Sequence, residues 1–92
     1  MEIINAKIKA SYLGVDEEGT LYLQIIFDSK NGTQYSTDRV TFVDASFIKD
    51  IVNTLEIRSW EELPRKFARI KLEGRRVVAV GNLIEDKWVE VR

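Results

Sequence analysis

Apolar and polar residues alternate along the first third of the chain, and a period of two leaves only strands for it to form. Ile4, Ala6, Ile8, Ala10 and Tyr12 alternate with Asn5, Lys7, Lys9 and Ser11, which reads as one half-buried strand with its apolar face on the even positions. Gly14 to Gly19 is a polar turn. Leu21, Leu23, Ile25 and Phe27 then alternate with Tyr22, Gln24, Ile26 and Asp28 in a second strand. Asn31-Gly32 predicts a tight hairpin, because both residues tolerate the positive φ of a type I′ turn. A third strand, roughly Thr33 to Val43, is rich in Thr, Tyr and Val and polar in its first half.

The period then lengthens. Phe47, Ile48, Ile51, Val52 and Leu55 fall on one face of a helix, with Lys49, Asp50, Asn53 and Glu56 opposite and Asp44 or Ser46 as the N-cap. Ser59-Trp60-Glu61-Glu62 is a capping box that starts a single helical turn, and Pro64 stops it. Strands return with Ala68, Ile70 and Leu72 alternating with Phe67, Arg69, Lys71 and Glu73. Gly74 marks a turn, Arg76 to Val80 a strand, Gly81-Asn82 a bend, and Trp88 to Arg92 a short final strand.

The order β-β-β-α-β-β-β with one main helix predicts an α+β fold. Two forms are open: an antiparallel sheet packed on the helix, or the curled barrel of the oligonucleotide-binding (OB) type with an extra strand. A chain of 92 residues has room for one core, so residues 1–92 read as a single domain.

Composition argues against catalysis. The chain has no histidine and no cysteine, and so lacks the side chain best suited to moving protons near neutral pH, the thiol nucleophile and the soft metal ligands. Asp16, Glu17 and Glu18 cluster in a turn without the alternate spacing of a calcium loop. The glycines at 14, 19, 32, 74 and 81 are dispersed among turns and bends rather than gathered into a phosphate cradle. The expectation is a binding protein with no cofactor and no metal. No apolar run approaches the roughly 18 residues that span a bilayer. The opening Met1 to Asn5 reads straight into a strand and not as a signal peptide. With no disulfide framework, the expected location is the cytoplasm.

Fourteen basic and fifteen acidic residues nearly cancel, but unevenly along the chain. Arg65, Lys66, Arg69, Lys71, Arg75 and Arg76 form a stretch broken only by Glu73 among charged residues. If Ala68, Ile70 and Leu72 face the core, Phe67, Arg69 and Lys71 share the outer face, with Arg75 and Arg76 at the adjoining turn. An aromatic beside cations can stack a base and hold its phosphate. The same residues also fit a solvated face whose cations pair with Glu73, Glu85 or Glu90. Trp88 fits either a cap on the core or an interface anchor. The second candidate is the polar third strand with Gln34, Tyr35, Asp38 and Arg39, which reads as a sheet edge open to a second copy or a partner strand.

The opening Ile4-Asn5-Ala6-Lys7-Ile8, the Phe47-Ile48 helix, Trp60-Glu61-Glu62-Leu63, Phe67-Ala68-Arg69-Ile70, Val80-Gly81-Asn82 and Trp88 resemble a group of short proteins encoded by bacteriophages and prophages. Members of that group tend to carry a glycine-glycine-aromatic run near the third strand, where this chain has Gln34-Tyr35-Ser36-Thr37-Asp38. The resemblance implies an accessory protein in the host cytoplasm that binds a host protein or small ligand, blunting host defence. The alternative is an OB-like nucleic-acid-binding module using Phe67, Arg69, Lys71, Arg75 and Arg76.

Overall fold

The computed structural model describes residues 1–91. Its elements follow the predicted order: β1 (Glu2–Val15), β2 (Leu21–Ser29), β3 (Gln34–Ser36), α1 (Ala45–Leu55), a 3-10 turn (Trp60–Glu62), β4 (Phe67–Glu73), β5 (Arg76–Gly81) and β6 (Trp88–Glu90). The strands are ordered β3-β2-β1-β4-β5-β6, and β3 also pairs with β5. That second pairing, parallel and made at Ser36–Arg76, closes β1 to β5 into a barrel. The curled OB-like form is therefore the one adopted, with β6 added along β5 beyond the closure.

Inward positions fill the barrel. Ala6, Ile8, Leu23, Ile25, Phe27, Ala68, Ile70, Leu72, Val77 and Val80 are all buried in one core cluster. The apolar face of α1 adds Ile51 and Leu55, and the connection to β4 adds Ile57 and Leu63. Asp44 is the N-cap, its carboxylate accepting the Phe47 N–H at 2.8 Å. The capping box at Ser59 and Glu62 forms as read.

Three readings are corrected. β1 does not keep one face: its register with β2 shifts between Ile8 and Ala10, so Ala10 pairs with Ile26 and Ser11 with Ile25. This bulge at Lys9 transfers the inward positions from Ile4, Ala6 and Ile8 to Ser11, Leu13 and Val15, and puts Tyr12 outside. The third strand is much shorter than Thr33 to Val43. Past Ser36 the buried Thr37 bonds to Ile25 through both its N–H and its hydroxyl, and one further bridge joins Val40 to Leu23. β5 runs on through Gly81, which makes room for the ring of Trp88 where a bend was expected.

Candidate functional site

β4 places Phe67, Arg69 and Lys71 on the outer face, as the alternation required. Phe67 is 54% exposed, and Lys7, its register partner on β1, holds its ammonium 5.7 Å from the ring centroid. Arg69 is spent inside the fold. Its Nε donates to the Asn82 carbonyl at 2.7 Å and its Nη2 to the Glu85 carbonyl at 2.8 Å, which ties down the β5–β6 connection. Trp88, opposite Gly81 on the neighbouring strand, lies on the outer face with the Arg69 guanidinium 4.8 Å and the Lys71 ammonium 4.4 Å from its ring. It thus neither caps the core nor stands free as an anchor.

Arg75 and Arg76 lie at the far end of β4, away from Phe67. Arg76 forms ion pairs with Asp38 and Glu73, each at 3.3 Å. Arg75 sits 6.0 Å from the ring of Tyr35. Of the five residues, three share a face, and two of the three arginines use their charge internally or in an ion pair.

The polar third strand holds its candidates apart. Gln34 is exposed, Tyr35 packs against the core, Asp38 pairs with Arg76, and the Arg39 guanidinium stacks 4.4 Å from the Tyr22 ring on the barrel exterior. One side of β3 bonds to β2, and the other is taken at Ser36 by β5.

A further open edge lies on β1. Its register with β4 covers Glu2 to Lys7, and Ile8 bonds on that side to Arg65 and Lys66. Beyond Ile8 no strand pairs with this edge among the described residues. The hydrogen-bond phase identifies the free groups. Leu23 and Ile25 of β2 point their N–H and C=O toward Val40 and Thr37, so their register partners Leu13 and Ser11 have backbone groups that point away from β2. By the same alternation Ser11, Leu13 and Val15 present N–H and C=O groups along one edge that are unpaired among the described residues. The segment Ala10 to Val15 carries no charge and no proline, the residues by which open edges are usually blunted.

The inward face of this hairpin runs past the end of the barrel. Leu13 is 55%, Val15 65%, Leu21 42% and Phe42 66% exposed. Register groups the first three: Leu13 opposes Leu23 and Val15 opposes Leu21. At the base of the overhang the Trp60 Nε1–H donates to the Ser11 hydroxyl at 3.1 Å, fixing the strand where it leaves the core. Sequence reading missed this surface by assigning Tyr12 to the apolar face. The signal was present, since the apolar positions change from even to odd between Ile8 and Leu13.

Shifted titrations lie outside both surfaces. Backbone N–H groups of Ser59 and Arg58 hold the Glu62 carboxyl below its ordinary range. Hydrogen bonding with Lys87 lowers Glu85, and the same contact raises Lys87. Among the described residues no group of three or more acidic side chains could hold a metal ion, and no helix is long and apolar enough to cross a membrane. Comparison with protein-family models, with curated proteins and with solved structures gives no match.

Proposed function

We propose that the chain is a non-catalytic binding module that engages protein through the overhanging end of the β1–β2 hairpin. One observation carries this reading: the unpaired edge of Ser11, Leu13 and Val15 adjoins the exposed Leu13, Val15 and Leu21. An added strand would supply hydrogen bonds along the edge and apolar side chains for the face beside it. The phage-type resemblance adds a class of partner, a host protein in the host cytoplasm, with inhibition of host defence as the consequence.

The test is a pull-down from host lysate with the wild-type chain, a Val15→Asp variant and a Phe67→Ala variant. An aspartate in the centre of the contact is expected to weaken retention of protein by about tenfold or more, while Phe67→Ala leaves it unchanged. Retention untouched by Val15→Asp but abolished by Phe67→Ala contradicts the reading.

A second reading, single-stranded nucleic acid on the β4 face, is favoured by Phe67 between Lys7 and the Lys71–Trp88 pair. Against it stand the formal net charge of −1 and the cations already spent by Arg69 and Arg76. Affinity for a DNA oligonucleotide that falls steeply with salt and is lost in Phe67→Ala with Lys71→Ala would favour it over protein binding.

A further inference from the structure

The charge along the edge specifies an occupant different from the host protein that the resemblance alone names, an inference that rests on the reading of the overhang as a protein-binding surface. β1 leaves the barrel among cations: Lys9 on the strand, with Arg65 and Lys66 on the segment bonded to Ile8. It ends among anions, Asp16, Glu17 and Glu18 in the turn before β2. None of Lys9, Arg65, Lys66, Glu17 and Glu18 makes an ion pair within the chain among the described residues. An edge that is basic at one end, acidic at the other and uncharged between complements its own antiparallel copy. A parallel copy would set like charge on like.

We infer that this edge takes the β1 edge of a second copy, antiparallel, with the two-fold axis passing through Leu13. The outward groups dictate the register. Ser11, Leu13 and Val15 of one copy exchange hydrogen bonds with Val15, Leu13 and Ser11 of the other. Tyr12 then faces Gly14 of the second copy, a position with no side chain to obstruct it. The basic end of each strand, with Lys9, then comes alongside the acidic turn of the other, with Glu17, once at each end of the joined strands. The apolar residues of the two overhangs meet on one side of the resulting sheet, the arrangement expected of a closed, isologous contact. The same geometry accounts for an edge that carries no charge, proline or bulge beyond Lys9: it is covered in use.

The chain has no cysteine, so single cysteines report the register directly. Across a hydrogen-bonded antiparallel pair the Cα atoms lie about 5.5 Å apart, within the range of roughly 4.4–6.8 Å that a disulfide spans. Under mild oxidation Leu13→Cys is expected to give a covalent dimer on a non-reducing gel, and Tyr12→Cys and Gly14→Cys are not. Light scattering is expected to give twice the 10.7 kDa chain mass as concentration rises. Glu17→Lys, in an exposed turn clear of the core, should weaken association by about tenfold, and adding Lys9→Glu should restore it.

A single-chain mass at every concentration overturns the inference, as does cross-linking at position 12 or 14 in place of 13. These failures are distinct from failure of protein binding itself. A monomer that still retains another protein, and loses it in Val15→Asp, sinks the second copy and leaves the overhang as a binding surface.

Discussion

A methyl group added at Gly81 would sit 2.6 Å from Cε3 of Trp88, closer than real side chains approach, and the indole has little room to retreat because Arg69 and Lys71 hold it from the β4 side. Gly81→Ala is therefore expected to cost about 1–3 kcal/mol, the usual toll of overpacking. Urea unfolding followed by tryptophan emission would show both the lower midpoint and an altered native signal. Asn82 beside it anchors the same corner: its amide donates to the Thr54 carbonyl and the Glu56 carboxylate, and its Oδ1 accepts the N–H groups of Ile84 and Glu85. Val80-Gly81-Asn82 and Trp88, quoted above for a resemblance, thus have a structural reason to occur together. Trp88 was legible alone as a large aromatic, and Gly81 was misread as a bend. Their contact was not, because it depends on the β5–β6 register that brings residues 81 and 88 together.

Elements were legible where their signals are local. The period of α1 is as read and its cap is Asp44, one of the two residues the sequence offered, and Asp44→Ala should lower stability by about 1 kcal/mol, measured as a shift in thermal midpoint. The capping box at the 3-10 turn makes the fold sensitive to acid. Glu62 accepts the Arg58 and Ser59 N–H groups, each at 2.8 Å, and these bonds hold its carboxyl below the ordinary 4.5. A folded-state value below the unfolded one means the contribution is complete above that ordinary value and is lost as pH falls through the lower folded one. Glu62→Gln should flatten the acid side of the stability–pH curve, and a curve of unchanged slope there would show that the carboxylate contributes nothing. β3 was misjudged because Thr37 and Val40 reach β2 through one backbone bond with a side-chain bond and through a single bridge, none of which has a period. β1 was misjudged at its bulge, where one extra residue reverses every side chain that follows.

At the scale of the whole molecule, the order of elements pointed to an OB-like barrel but left closure open. Closure rests on one parallel pair, Ser36–Arg76, joining residues far apart in the chain, and no pattern within either strand announces it. Closing the barrel takes the far side of the third strand at Ser36 alone and leaves β1 as the long strand that outruns β4, since its pairing with β4 stops at Lys7 and that with β2 continues to Val15. The proposed binding surface is thus a by-product of unequal strand lengths, which is why it was absent from a reading that weighed strands one at a time. The claim that this edge is the working surface makes a residue-by-residue demand on amide hydrogen exchange. In the dilute free chain the N–H groups of Ser11, Leu13 and Val15 should exchange fast while those of Tyr12 and Gly14, bonded to β2, are protected. As concentration rises or a retained protein is added, the three fast amides should become protected and the alternation should disappear. Fast exchange at all three under every such condition would contradict the account.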